Sequence, residues 1–550
     1  MGRERDDDTR WICQALSRSE TYPSRPVTVE VRETHISWVF LAGERAYKLK
    51  KRLVLDFVDY GTPGRRRAMC REEVRLNRRL AADVYLGVRG VARTTNGVEL
   101  IAEDDPRAID YLVEMRRYDE RRTMATLLER GELDGSQVAA VGERLARFHA
   151  QAPVVTLSEP AAVAAERRFV RNAHELLARP TPPGDAGRVR ALERFAGEFL
   201  DGHARVLNQR ARVGRIREGH GDLRAEHVLL DGDVRIVDCV EFDRGLRELD
   251  VSDDLAFLVF DLVARGGDRL AGLLVRAYRE AGGDPGDGSL IAFHAAYWAL
   301  VRAKVALVRA AALLPASQAR QTEMRHAHGL LAVAERFAWR ARLPIVIAVC
   351  GVPASGKTRL ARALAVQSGL PQLSSDRLRK QMQGRRPTDR GGDESYSDEW
   401  NRRTYAELGR RAADHMRTNG GVIIDATFRH RADRQAFASG LAIPTRMLFV
   451  QCQAPRSVLM QRATCRERDR ERISDADAAV VLREQDSFEP LDELPADAHL
   501  VLRADRPVEE IRDDVVALLD RRLPRLGCAP AWLTPADARD PPGGGTAVSA

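Results

Sequence analysis

The chain has 550 residues, more than one hydrophobic core can serve, so two domains are expected. Hydrophobic residues make up 44% and charged residues 31%, as in a globular protein, and the formal net charge of +8 permits phosphate-rich ligands without requiring nucleic acid. Seven scattered cysteines with no CxxC pair argue against a zinc site or a disulfide framework.

The amino terminus, MGRERDDDTR, is charged and lacks an apolar stretch, so no secretory signal is expected. Residues 1–26 are polar and loosely patterned. From Val27 to Lys50 the pattern is strand-like: VTVEV, SWVFLA, a Gly43-Glu44 turn, then RAYKLK. Residues 65–81 repeat apolar positions at helical spacing. Strands are expected again at GVELIAE and YLVEMRRY, helices from Ser136 to about Arg212, a loop and two strands over His220–Asp243, and helices from Asp253 to about Trp339. The longest apolar helical stretch, His294–Leu314, carries Arg302, Lys304 and Arg309, which points to a buried core helix rather than a membrane span. A soluble cytoplasmic protein is the expectation. Arg340–Pro344 is a short boundary, after which IVIAVC opens a new α/β pattern that runs to about Leu526. The expected domains are 1–338 and 343–527, followed by a disordered tail over 528–550, where DARDPPGGGTAVSA is rich in Pro, Gly and Ala.

In GHGDLRAEHVLLDGDVRIVDCVEFD, Asp222 precedes two strand-like runs and Asp238 ends the second. Two carboxylates at the ends of a hairpin converge on one place. Phosphoryl transfer needs such a pair, one to orient the acceptor hydroxyl and one to hold Mg²⁺. Aspartate is also common in plain turns, but the HxD spacing and the apolar strand before Asp238 favour function. The segment resembles the aminoglycoside phosphotransferase family, whose fold is like that of protein kinases. His220, Gly221 and Asp222 match its HGD, Asp238 matches its metal-binding aspartate, and Asp254 in RELDVSDDLAFL would cap a helix. The resemblance covers about residues 30–335. It implies a phosphate-pairing lysine at Lys48, with Lys50 the alternative, and a helical partner at Glu72 or Glu73. In two respects the chain departs from the family. His227 stands where the second metal ligand is an asparagine, and no clear glycine-rich loop covers the phosphates. Both bear on catalytic competence rather than on fold.

Further along, IVIAVC-GVPASGKT-RLARALA sets a GxxxxGK[ST] loop between a strand and a helix. In the run Gly351, Val352, Pro353, Ala354, Ser355, Gly356, Lys357, Thr358, the glycines let backbone N–H groups turn toward phosphate oxygens. The positive end of the following helix points the same way. Lys357 reaches the terminal phosphates and the Thr358 hydroxyl ligates Mg²⁺. Asp425 ends the buried strand of GGVIIDATF, placed to hold the magnesium's water shell. Asp376 in PQLSSDRLRK opens a helix, either as its cap or as the base that orients an acceptor hydroxyl. In MQRATCRERDRER, Arg462 and Arg466 lie four apart on one helical face and would close as a lid on the transferring phosphoryl.

Residues 345–503 resemble the AAA-type small P-loop kinases related to zeta toxins and to the kinase half of polynucleotide kinase: GVPASGKT, SSDRLRK, VIIDATF and the arginine-rich lid followed by SDADAAV occur in that order. The resemblance implies ATP-dependent phosphorylation of a hydroxyl, with Asp376 on the acceptor side and Arg462 or Arg466 as the lid arginine. The tandem order resembles bacterial bifunctional proteins in which an aminoglycoside phosphotransferase is fused to an AAA-type kinase. The expected fold is mixed α/β and α+β, a kinase-like two-lobed amino-terminal domain followed by a P-loop NTPase domain with a parallel sheet. The expected ligands are ATP, Mg²⁺ and a hydroxylated small-molecule acceptor, without nucleic acid or membrane, the oligomeric state left open. Two alternatives are a regulatory ATPase with a ligand-sensing pseudokinase domain, and a nucleic-acid or nucleotide-sugar kinase.

Overall fold

The structure is a computed structural model that describes residues 3–55, 58–181, 184–386, 389, 397–467, 478–526 and 528–529. The chain folds into two compact units, residues 1–172 with 203–334, and 173–202 with 335–550.

The first unit carries an antiparallel sheet of six strands: β1 (Val29–Glu33), β2 (Ser37–Ala42), β3 (Arg45–Lys50), β4 (Tyr85–Thr94), β5 (Gly97–Ile101) and β6 (Ala108–Arg116), in the order β1-β2-β3-β6-β4-β5. Gly43, at φ +61°, makes the two-residue turn between β2 and β3, a conformation glycine adopts without penalty. The strand period of two then splits β3 cleanly. Tyr47 and Leu49 join a core with Ile12, Ala15 and Leu16 of the helix Arg3–Leu16. Lys48 and Lys50 turn to the other face, toward the helix Pro63–Ala81. That helix starts at Thr62, whose side chain accepts from the Arg65 N–H, with Pro63 in its first turn. Two of these elements were not expected from the sequence. The helix Arg3–Leu16 has few apolar positions to reveal its period, and in β4 Gly87 and Gly90 break the alternation.

Downstream, β7 (Ile216–Glu218) leads to the hairpin β8 (Val228–Asp231) and β9 (Asp233–Ile236), and β10 (Glu248–Asp250) returns antiparallel to β7. Among the described residues, the helix Gly288–Ala311 is the one long and apolar enough to cross a membrane. Of its most apolar 18-residue stretch 72% is buried within the protein, as expected of a core helix.

The second unit is built on five parallel strands: β11 (Ile345–Cys350), β12 (Gln372–Ser374), β13 (Gly421–Asp425), β14 (Thr445–Gln453) and β15 (His499–Arg503), in the order β12-β13-β11-β14-β15. All six β11 residues are buried, as befits a strand covered on both faces. Cys528–Ala529, at the start of the expected tail, pairs antiparallel with β14, and residues 530–550 lie outside those described. Two helices, Asp398–Asn419 and Arg431–Leu441, touch backbone to backbone. A Cβ on Gly440 would fall 2.0 Å from the Ala406 carbonyl oxygen, and one on Gly409 would fall 2.2 Å from that of Phe437. Arg342 makes a buried two-bond pair with Asp520 at 2.6 and 2.9 Å and lies 4.7 Å from the Phe195 ring. Residues 173–202 are tied into this unit by such packing.

Candidate functional site

Each unit gathers one set of charged residues. In the first, Lys48 Nζ lies 2.7 Å from Asp238 Oδ1 and 2.8 Å from Glu73 Oε1, and Lys50 Nζ lies 2.7 Å from Glu73 Oε2. Lys50 also pairs with Glu241, which accepts from the Tyr60 hydroxyl at 2.9 Å. Lys48 therefore faces Asp238, and Lys50 is held behind it. The helical partner is Glu73 and not Glu72. Glu72 turns away to Arg75 and to the buried Arg247, both at 2.8 Å, because adjacent residues on a helix face about 100° apart. Asp238 itself sits at φ +65°, a conformation few non-glycine residues adopt, with its N–H donating to the Tyr85 hydroxyl at 3.1 Å. Lys48 holds the Asp238 carboxyl far below the usual range against the opposing effect of burial.

The HGD segment is anchored from behind. The His220 and Gly221 N–H groups donate to Asp254 at 2.7 and 3.0 Å, and Asp254 also meets His149 Nε2 at 3.1 Å. Burial pushes His220 down to about 4, so it is neutral at ordinary pH. Its Nε2–H donates to the Val237 carbonyl at 3.0 Å, while Nδ1 accepts from the Asp222 N–H at 3.3 Å. This couples the loop bearing Asp222 to the strand that delivers Asp238. Asp222, His227 and Asp238 place ligand atoms within 4.8 Å of one another, a set able to hold a cation. His227 Nδ1 donates to the Asp222 carbonyl at 2.9 Å, which leaves the Nε2 lone pair for the cluster. At present that lone pair faces Arg224 Nη2 at 3.1 Å, and the same guanidinium grips both Asp222 oxygens at 2.9 and 2.8 Å. Burial opposes the Asp222 charge, but Arg224 holds its pKa below the ordinary value. Arg224 was not expected at the site. A cleft of about 650 Å³ opens here, lined by Lys48, Tyr85, Met115, Tyr118, His227 and Asp238. Thr34 also lines it, from a β1–β2 turn, Thr34–Ile36, that contains no glycine.

In the second unit the residues 351–358 bridge β11 and the helix Lys357–Ser368. Gly351 (φ +135°), Ala354 (φ +65°) and Gly356 (φ +100°) all take left-handed backbone angles. A Cβ on Gly351 would lie 2.5 Å from the Cys452 carbonyl oxygen. Val352, Pro353, Ala354 and Ser355 are buried, and Ser355 Oγ is buried with no hydrogen-bond partner among the described residues, which fits a loop shaped to receive a ligand's oxygens. Lys357 is buried at the helix start, and the Thr358 hydroxyl donates to Asp425 Oδ1 at 3.2 Å. In the sheet register Asp425 stands opposite Val349 on one side and Ser374 on the other, two residues before Asp376. The loop, Asp425 and Asp376 thus meet at the carboxyl ends of neighbouring parallel strands. Thr358 and Asp425 fit a hard divalent cation, one directly and one through water.

Arg462, on the helix Arg456–Glu467, is engaged by main-chain oxygens: Nη2 donates to Ala504 at 2.7 Å, and Nη1 lies 3.4 Å from the carbonyls of Ala354 and Ser355. Here it braces the loop. With Gly356, Ala504, Val508 and Ile511 it lines a cavity of about 360 Å³. Arg466 lies on the same helix, its side chain outside what is described, and residues 468–477 lie outside the described residues.

Residues 346–491 match the AAA domain family. The chain is 34% identical over 461 residues to the uncharacterized protein Rv2004c of Mycobacterium tuberculosis (strain ATCC 25618 / H37Rv), covering 81% of this chain and 89% of that one. The chain belongs to that protein's family. Among solved structures, a choline/ethanolamine kinase family protein from Mesorhizobium loti is similar at 16% identity and TM-score 0.36, over 58% of this chain and 98% of its own. A gluconokinase from Sinorhizobium meliloti 1021 is similar at 22% identity and TM-score 0.25, over 33% and 94%. The AAA domain match falls wholly within the second unit, over the phosphate loop, Asp376 and Asp425.

Proposed function

We propose that the carboxy-terminal unit transfers the γ-phosphate of ATP to a hydroxyl of a small acceptor. The observation that carries this is the meeting of the phosphate loop, Thr358, Asp425 and Asp376 at one end of the parallel sheet. Backbone N–H groups of 351–358 and Lys357 would bind the phosphates, and the cavity beside Gly356 and Arg462 would take the base. Mg²⁺ held at Thr358 and Asp425 would neutralise charge on the β- and γ-phosphates. Asp376 orients the acceptor hydroxyl and takes its proton as the acceptor oxygen bonds to phosphorus and the bond to ADP breaks. An unbiased metabolite screen with labelled ATP tests this on wild type, Lys357→Ala and Asp222→Ala. Products that persist in Lys357→Ala and vanish in Asp222→Ala would assign all transfer to the other unit and overturn the proposal.

The amino-terminal unit is read as a second, slower phosphotransferase. Lys48 would pair the phosphates, Asp238 and His227 would hold metal, and Asp222 would orient an acceptor. The Arg224 fork on Asp222 and His227 is the observation that favours slow turnover, or a ligand-sensing role, because it occupies both groups. Imidazole is a softer ligand than the asparagine oxygen it replaces and is better matched to Mn²⁺ than to Mg²⁺. In the full chain carrying Lys357→Ala, His227→Asn is expected to raise Mg-ATP affinity by about tenfold relative to Mn-ATP, roughly 1.4 kcal/mol. Isothermal titration with both metal complexes measures the shift. Equal preference in parent and variant would remove His227 from the metal site.

A further inference from the structure

One ionisable group near the P-loop has no evident structural use. Glu484 lies on the helix Ala478–Asp486. Its Oε2 is buried with no hydrogen-bond partner among the described residues, and its Oε1 is 3.5 Å from Arg429 Nη1. Arg429 is engaged elsewhere too, its Nε meeting His430 Nε2 at 2.8 Å. Burial raises the Glu484 pKa against the pull of Arg429 and Lys357, and Asp376 and Arg379 act on it as well. Val481, three residues before Glu484 on the same helix, packs with Val352 and Ala354 of the phosphate loop, and the partner Arg429 follows Asp425 by four residues, so the carboxylate stands on a helix that borders the P-loop site. Arg379 lies 3.8 Å from Asp376. A buried carboxylate oxygen without a donor is costly, and glutamine or leucine would fill the space at less cost. A ligand that brings the missing donor removes that cost.

We propose that Glu484 is a second acceptor-binding carboxylate of the P-loop site, accepting a hydrogen bond from a hydroxyl next to the one phosphorylated, so that the acceptor is a polyol. This rests on the transfer reaction proposed above. Asp376 takes the proton of the attacking hydroxyl and Glu484 takes none; it positions the acceptor through a neighbouring oxygen. A single-hydroxyl alcohol leaves Oε2 unsatisfied and is rejected, because a site built to bond a hydroxyl discriminates strongly against its absence.

The test uses the full chain with Asp222→Ala, labelled ATP, and glycerol, glucose, gluconate and 1-propanol as acceptors. Polyols but not propanol should be phosphorylated. Glu484→Gln should raise the acceptor KM about tenfold or more while the ATP KM stays within about twofold, and Glu484→Asp should recover part of the loss. Without acceptor, Glu484→Gln should melt at a higher temperature than its parent at pH 8, since a buried charge with one oxygen lacking a donor is gone. An unchanged acceptor KM, an equal rise in ATP KM, or a lower melting temperature would make Glu484 structural and overturn the inference. If the parent phosphorylates no polyol, the transfer reaction is wrong for this panel. Melting with a non-hydrolysable ATP analogue then decides for Glu484. A polyol-dependent rise lost in Glu484→Gln upholds its role, and no rise in the parent rejects it.

Discussion

Lys357→Ala in the full chain carrying Asp222→Ala is expected to lower ATP turnover on the order of 10²-fold or more. Lys357 is buried at the start of a helix whose first N–H groups open onto the loop, so water cannot replace its charge at the phosphates. As the γ-phosphoryl leaves, negative charge grows on its oxygens and on the departing ADP. An alanine leaves that charge to the backbone alone. Steady-state ATPase and acceptor-dependent transfer should fall together, while the melting temperature stays near that of the parent. A folded variant with turnover within about threefold of the parent would show that the loop lysine does not act on the transition state.

Glu73→Ala is expected to be the most destabilising single change among the charged residues of the first unit, by about 3–5 kcal/mol, because it removes the shared partner of the buried Lys50 and the partly buried Lys48. Glu73 is fully buried, with one oxygen on Lys48 and the other on Lys50. Burial opposes its charge, yet the two lysines outweigh burial and lower its pKa. Burial also opposes the lysine charges, but Asp238 for Lys48 and Glu241 for Lys50, each with Glu73, raise both pKa values. A lowered carboxyl pKa gives stability present above the unfolded glutamate value and lost as pH falls through the folded one. Raised lysine pKa values give stability present below the unfolded lysine value and lost as pH climbs through the folded ones. The network therefore contributes fully between about pH 4.3 and pH 10.4. Urea unfolding at pH 7 should show the loss, and the gap between parent and Glu73→Ala should narrow toward pH 3. A difference under about 1 kcal/mol at pH 7 would mean the lysines find other partners.

Much of this was legible in the sequence, and for definite reasons. Lys357, Thr358 and Asp425 lie where a strand must hand over to a loop, which puts each at the carboxyl end of its strand; that the two strands are neighbours comes from the sheet order. Asp222 and Asp238 flank a short hairpin, so local geometry brings them together. Lys48 and Lys50 share a strand face, but which of them meets Asp238 depends on where the strand ends relative to β9, and sequence carries no such measure. Glu72 and Glu73 could not be ordered because the helix gives a period without an absolute phase. Arg224, Glu241 and Glu484 escaped notice because their partners are set by the fold or, for one Glu484 oxygen, absent among the described residues. An arginine two residues after Asp222 was a usable signal. Nothing local marks Glu484, whose meaning comes from an oxygen that the folded chain leaves unpaired.

The glycine contact between the helices Asp398–Asn419 and Arg431–Leu441 has a mechanical consequence. With Gly440 against the Ala406 carbonyl and Gly409 against that of Phe437, neither helix can slide or roll without driving main-chain atoms together. The pair acts as a fixed jaw. It clamps Tyr405 against Phe428, in the segment that follows Asp425, with the Tyr405 hydroxyl accepting the Phe428 N–H at 3.0 Å. Asp425 is thus mounted on the stationary side of the P-loop unit, and motion that closes around a ligand falls to elements outside this helix pair. A pair of spin labels, one on an exposed turn of each helix, should report the same separation with and without nucleotide.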